Sequence, residues 1–545
     1  MRHRSSGPAA LVLFVSTAAA CAGQQPPPPL LTVTSPARSL MQESGSVTVR
    51  GTVQPNADGD PVSRVTVNGI AATLGADGSF SAAIDVPDGA SIIETVASTE
   101  YGGTATDARS VQSGHRIPVG SNIDRAVTAS LSADAFVKMS AAAGPLIKSM
   151  NLPAMLAPLQ PMANLGDSIA NVKLSIDQLS FDDVKVALTP TDGGLEFSAE
   201  IDGLNASATA VYAGALVPDG TTTVTVATDK VVISGMLVVT PKGTAGFTTT
   251  IASPLVQTGK LQLNANGLTG QILTLVNNNL GSTVQNLATT AAAHGLEPLM
   301  NDALGALGGP RQVEVLGAMV QVEATPAAVA FSTAGAVVTM NLKTMIAGSE
   351  SSPGFIVTPN GMPTLDPNAG IQVALADDLV NEILAETHAL GLMEVHVEKD
   401  FGLFDALDIR MASPPMVSAD TADGTLHLVM GDMTAAFTDH GQPFISAAIN
   451  AEVDLKILRG TSANQVALQF GDIHLWVNQL EDPSRPASGA EVELTGPAAA
   501  GIDLQLKSLT PFLVTVPVPA VAGIQLDDLE MHTDSGYLLI SGAIH

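Results

Sequence analysis

The 545-residue sequence predicts a mainly β chain with long amphipathic helices, an α+β class. Three observations predict it. Short runs alternate apolar and polar residues and are separated by Gly, Asn, Asp and Pro, the pattern of half-buried strands. Apolar residues recur at helical spacing over 269–307 and again after Asp377. Mean hydropathy is +0.30 with only 14% charged residues, yet no apolar run of membrane-spanning length follows the N-terminal segment. The apolar side chains must therefore be buried between layers or cover an apolar guest. Three Tyr and one Trp do not supply the aromatic girdles of a membrane β-barrel.

At the N-terminus, Arg2, His3 and Arg4 precede an apolar run at 9–15 and small residues at 16–20. That is the order of a signal peptide over 1–20, with a run too short to span a bilayer. Small residues directly before Cys21 resemble the lipobox of bacterial lipoproteins, with Ala18 where leucine is usual. The resemblance implies cleavage ahead of Cys21, acylation of its sulfur by a palmitate-type chain, and anchorage in the cell envelope. Ala22 supplies no retention aspartate, which favours the outer membrane or cell surface. An ordinary secreted protein cut after Ala20 is the alternative. Cys21 is the only cysteine, so disulfides, thiol nucleophiles and cysteine metal sites are excluded. Residues 21–31 form a tether in which Pro26 to Pro29 favour extended polyproline.

Residues 32–113 read as a β-sandwich. Val47-Thr48-Val49 and Val65-Thr66-Val67 alternate, and Asp58-Gly59, Asn68-Gly69 and Asp77-Gly78 suit hairpin turns needing positive φ. The segment resembles the immunoglobulin-like module found beside bacterial glucodextranases. Such a module implies either a spacer or a binder with a protein or glycan partner.

Beyond Arg116 the pattern changes. Phe136, Met139, Leu146, Ile147 and Met150 share a helical face in a proline-interrupted segment, 131–166. Strands are predicted at 172–176, 184–188, 195–201, 223–227 and 231–239. The longest helical stripe follows: Ile272, Leu275, Val276, Leu280, Val284, Leu287, then Leu299, Met300, Leu304 and Leu307. Strands are predicted at 313–323 and 335–342. A helix capped by Asp377 carries Leu379, Val380, Ile383 and Leu384, and strands run from there to the end.

Residues 370–384, the hairpin spanning Pro415 to Met433, and the ending Val516-Pro517-Val518-Pro519 through Leu529 with Gly536-Tyr537-Leu538-Leu539-Ile540 resemble the tubular lipid-binding family. Its members include bactericidal/permeability-increasing protein, lipopolysaccharide-binding protein and plasma lipid-transfer proteins. The resemblance covers roughly 120–545. It implies a sandwich followed by two tandem curled-sheet barrels, each wrapped on a helix: a first barrel at 114–312, a central sheet at 313–345 and a second barrel at 346–545. It also implies a phospholipid or other apolar lipid as ligand. Groove-facing residues would be Ile272, Leu275, Val276 and Leu280 in the first barrel and Leu379, Val380 and Ile383 in the second. The disulfide and the basic tip of the animal proteins are missing. A cell-surface adhesion or scaffold protein with solid β-domains is the alternative.

The charge of −29 repels phosphate backbones and excludes nucleic acid as a partner. No cofactor, no metal and no enzymatic activity are expected. Gly166-Asp167-Ser168-Ile169 resembles one esterase block, but it stands in a β setting, and Asp528 and His532 are one residue too far apart for the companion motif. His388, His396, His427 and His440 lack HExxH spacing. Asp58, Asp60 and Asp77 sit in turns where Asp serves backbone groups.

Overall fold

A computed structural model describes residues 26–149, 160–161, 163–215, 217–243, 246–268, 270–291, 309–315, 318–358, 360–400, 402, 404–419, 425–459, 466–480, 494, 496–502 and 526–544. The signal segment, Cys21, Met150, Leu299, Met300, Leu304, Leu307 and the stretch 516–525 lie outside them. The chain divides into two compact units that alternate along the sequence. The first holds residues up to Pro36, Val47–Ile84 and Glu94–Asp107; the second holds Ala37–Ser46, Asp85–Ile93 and everything from Ala108.

In the first unit the alternation seen in the sequence becomes sheet. Leu30–Ser35, Gly45–Gln54, Ser79–Val86 and Thr73–Leu74 form one four-stranded sheet, in that order. Val47, Val49, Val53, Val65, Val67, Phe80 and Ile84 are buried while their neighbours face solvent. Asn68 (φ 47°) and Gly69 (φ 77°) make the two-residue turn between Val67 and Ile70, as their sequence predicts.

The second unit is built on three sheets. A central seven-stranded sheet runs Gly309–Val315, Ala318–Ser332, Gly335–Ile346, Ile123–Ser132, Ile371–Ala376, Tyr537–Ile544 and Leu526–Asp534. It draws on far more of the chain than 313–345, because Ile123–Ser132 inserts between strands more than 200 residues downstream. The single strand expected at 313–323 is instead a hairpin, Val315 pairing with Ala318.

The first outer sheet rests on two long strands, Gly194–Gly214 (21 residues) and Val217–Pro241 (25 residues), several times the usual length. The separate strands expected at 223–227 and 231–239 are thus one. Each long strand holds two partners in succession on its free edge. Asp183–Thr191 pairs with 194–202 and Asn171–Ser180 with 205–213. Phe247–Thr258 pairs with 231–241 and Gln262–Asn264 with 225–227. Right-handed twist accumulates along such strands and curls the sheet. Its apolar stripe changes parity midway: Leu195 and Phe197 are buried at odd positions, Ala208 and Ala210 at even ones. Gly203 lies between them at φ 65°, and a Cβ there would collide with the Asp182 carboxylate.

The second outer sheet runs Val395–Glu398, Ala406–Arg410, Leu426–Asp439, Gln442–Arg459 and Val466–Gln479, with Met416–Ser418 on the side of Leu426–Asp439. Three long helices lie among the described residues, Ala133–Ser149, Gly270–Ala291 and Asp377–Ala389, with a shorter helical stretch at 496–502. No described helix is long and apolar enough to cross a membrane. Ser132 caps the first by accepting the Ala135 N–H at 3.2 Å. The third begins differently from its expected form. Ala376 is its N-cap, and Asp377 is drawn away from capping because its carboxylate accepts the Ala419 N–H at 2.9 Å.

Candidate functional site

Two helix–sheet seams carry the residues singled out by the sequence. On helix 270–291, Ile272 and Val276 are fully buried against Val172, Leu174, Ala208, Ala210 and Val224. Leu280 is buried as well, and Leu275 is half-buried at the edge of the same cluster. Ile272 and Val276 therefore fill core, while Leu275, Leu165, Ile176, Tyr212 and Leu263 are partly buried hydrophobics packed against that same core. At the other end of the long strands, Phe136, Leu195, Phe197 and Leu237 are buried together, and Leu188, Ile233 and Ile251 around them are only half-covered. Among the described residues, the apolar stripe of this sheet is only partly buried at both ends. Its other face is wet: Lys230 bonds Glu200 at 2.6 Å and Lys185 bonds Asp202 at 3.0 Å. The Lys230 ammonium holds the Glu200 carboxyl below its ordinary range, and Asp202 raises Lys185.

The second outer sheet contrasts with this. Leu407, Ile409, Leu428, Met430, Met433, Phe437, Ile449 and Leu455 are all fully buried in one packed cluster. Val380 packs against that cluster, Leu379 against the separate cluster of Ile123, Met340 and Phe355, and Ile383 is half-buried. The structure thus does not bring Leu379, Val380 and Ile383 onto one apolar groove with one another.

Helix 377–389 instead buries its polar residues. Asp377, Asp378, Asn381, Glu382 and Glu386 are at most 4% exposed. Each accepts hydrogen bonds from a neighbouring chain segment. Ala419 N–H donates to Asp377, Thr358 N–H to Asp378 at 2.9 Å, Gly120 N–H to Glu382 at 2.8 Å and Ile346 N–H to Glu386 at 2.8 Å. Asn381 mimics a strand, accepting from Val417 N–H at 2.7 Å and donating to its carbonyl at 2.9 Å. Thr344 Oγ1 donates to Glu382 at 2.6 Å. Burial pushes Asp377 up to about 6 and Asp378 and Glu382 up to about 7, and it raises Glu386 too. The neighbouring Asp377 charge adds to the rise at Asp378, and that of Glu386 to the rise at Glu382. Periodicity missed this face because acidic residues at i, i+4 ordinarily mark a solvated side. Its only sequence signal was the run Asp377-Asp378 directly after a buried strand.

The histidines are dispersed. His388 is half-buried and pushed down by burial, with Nε2 3.2 Å from the Met411 carbonyl. His396 bonds Asp408 at 2.7 Å and His427 bonds Asp454 at 3.0 Å. Asp405, Asp439 and His440 each bring a ligand atom within 4.8 Å of the others at the turn after Leu426–Asp439. Both Asp405 oxygens there accept the His440 N–H, so the cluster is accounted for as a closed turn. Ser168 lies in the turn between antiparallel strands 163–166 and 171–180, where Asp167 accepts the Ile169 N–H. In the first unit, Asp77 accepts from Ser79, and Asn56 accepts the Asp58 and Asp60 N–H groups.

Residues 29–114 match the family described as glucodextranase, domain B, so an immunoglobulin-like module stands at this end of the chain. No curated protein sequence matches the chain. Among solved structures, lipopolysaccharide binding protein is similar at 14% identity and TM-score 0.42, over 78% of this chain and 99% of that one. P47 of Clostridium botulinum E1 is similar at 9% identity and TM-score 0.28, over 78% and 100%. P47 from Clostridium botulinum A2 follows at 7% and 0.24, over 77% and 98%. At such scores these likenesses carry no weight for function.

Proposed function

We propose that the chain is an envelope-anchored lipoprotein that binds or transfers an apolar lipid without catalysing a reaction. Cys21 carries the acyl anchor, and residues 21–31 lead from the membrane to the body. The lipid chain lies along the first outer sheet, against Leu275 and the other partly buried residues of its cluster, with Ile272, Val276 and Leu280 as the packed floor. The observation that carries this reading is the under-covered apolar stripe: Leu165, Ile176, Tyr212, Leu263 and Leu275 at one end, Leu188, Ile233 and Ile251 at the other. Burial gains about 0.8 kcal/mol per CH₂, so a sixteen-carbon chain laid there gains on the order of 10 kcal/mol before ordering costs. Leu379 and Val380 pack on two different cores, so Leu379, Val380 and Ile383 take no part in this lipid contact.

No cofactor takes part, and each named residue contributes apolar contact alone. The packed second sheet is what an adhesion scaffold would also show. Native mass spectrometry with lipid extraction, on protein beginning after Gln25, separates the two. A defined extra mass resolving into phospholipid or another acyl species is expected. Protein that is bare and refuses added fluorescent phospholipid would remove the carrier reading and favour the scaffold.

A further inference from the structure

The first unit holds a shallow, solvent-open cavity of about 370 Å³ lined by Thr34, Arg50, Gly51, Thr52, Thr73, Gly75, Ser79, Phe80 and Ser81. All of these residues belong to that one unit. We infer that this cavity is a binding site for an acidic sugar, a hexuronate unit of a polysaccharide.

Two glycines let neighbouring groups pack closely at its floor. A Cβ at Gly51 would meet the Thr32 carbonyl and the Phe80 ring, and one at Gly75 would meet Asp77 Oδ1 and Ser79 Oγ, each at 2.7 Å. Its lining includes five hydroxyl residues, Thr34, Thr52, Thr73, Ser79 and Ser81; Thr34 and Ser79 donate within the protein, to the Arg50 carbonyl and Asp77, and can accept from a sugar hydroxyl. Asp77, behind the lining, accepts from Ser79 Oγ at 2.7 Å and fixes that hydroxyl.

Arg50 decides the class of sugar. Its guanidinium forms no hydrogen bond or ion pair among the described residues. In a chain of 23 basic and 52 acidic residues, an unpaired arginine beside a row of hydroxyls stands apart from its surroundings. A planar guanidinium binds a carboxylate through two parallel hydrogen bonds, which a neutral sugar cannot accept. The volume lies at the small end of ligand sites, fitting one or two sugar units. The net charge of −29 opposes nonspecific anion uptake, so saturable binding of an anion requires a local cation.

The test is titration of the full mature chain with sodium D-glucuronate, D-glucose and sodium acetate, followed by saturation-transfer NMR. Saturable glucuronate binding is expected, with glucose and acetate each weaker by about tenfold or more. Arg50→Ala should lower glucuronate affinity by about tenfold, and Arg50→Lys, which keeps the charge and loses the fork, by an intermediate factor. Arg50 faces solvent, and unchanged circular dichroism verifies that each variant folds. Absent saturation, unchanged affinity in Arg50→Ala, or acetate binding as tightly as glucuronate would overturn the assignment. Lipid binding is independent of this outcome.

Discussion

The two outer sheets begin from similar material and end differently. Both are antiparallel, both are rich in Ala, Val, Leu and Ile, and both turn an apolar face inward. The second packs a solid core: Leu407, Ile409, Leu428, Met430 and Ile449 are at most 1% exposed. The first does not, because among the described residues strands of 21 and 25 residues present more apolar face than helices 133–149 and 270–291 cover. What separates a solid core from a candidate lipid site here is coverage, which depends on strand length and helix placement more than on composition.

Truncating a core residue of the second sheet should have the largest effect. Met430→Ala is expected to destabilise by about 2–5 kcal/mol in urea unfolding, since it leaves a cavity in a packed cluster. Ile233→Ala in the first sheet should cost less, about 1–2 kcal/mol, because its side chain is only partly buried. It should weaken lipid retention instead. Equal losses at the two positions would erase the distinction between the sheets.

The acidic face of helix 377–389 gives the next effect. Its carboxyls have folded-state pKa values raised above their unfolded ones, so the folded state holds protons that the unfolded state has released. Stability therefore falls as pH rises from about 4 to about 7 and levels off above that. Tyr537 feels the charges of Asp377, Asp378 and Arg125, and His388, pushed down by burial, closes the helix. Glu382→Gln keeps an acceptor for Gly120 N–H and removes the buried charge. It should stabilise at pH 8 by on the order of 2 kcal/mol and flatten the thermal-melt profile between pH 5 and 8. A wild-type melting temperature that rises over this range would contradict the assignment.

A similarly small effect is expected at Gly203→Ala, about 1–2 kcal/mol from positive φ and the Asp182 carboxylate. It bears on the curl of the first sheet alone, and urea unfolding by a second-sheet probe should separate it from the Met430→Ala loss.

Much of this was legible in the sequence. Asn68-Gly69 states its own turn, and Ile272, Leu275, Val276 and Leu280 announce a helix whose apolar side meets a sheet. The central sheet was not legible, since pairing Ile123 with Leu342 and Val127 with Leu375 leaves no local trace. Nor was the buried face of Asp377, Asp378, Glu382 and Glu386. Those carboxylates are held inside by backbone N–H groups of Ala419, Thr358, Gly120 and Ile346, donors that only the tertiary fold brings to them.

The sole tryptophan, Trp476, lies in the second outer sheet and offers the most direct measurement. Its fluorescence, and that of Tyr212→Trp in a Trp476→Phe background, would be followed during titration with a brominated phospholipid. Saturable quenching in the Tyr212→Trp protein with Trp476 unaffected is predicted, placing the acyl chain at the first sheet. Quenching of Trp476 alone, or of neither, would contradict a lipid site along the under-covered stripe.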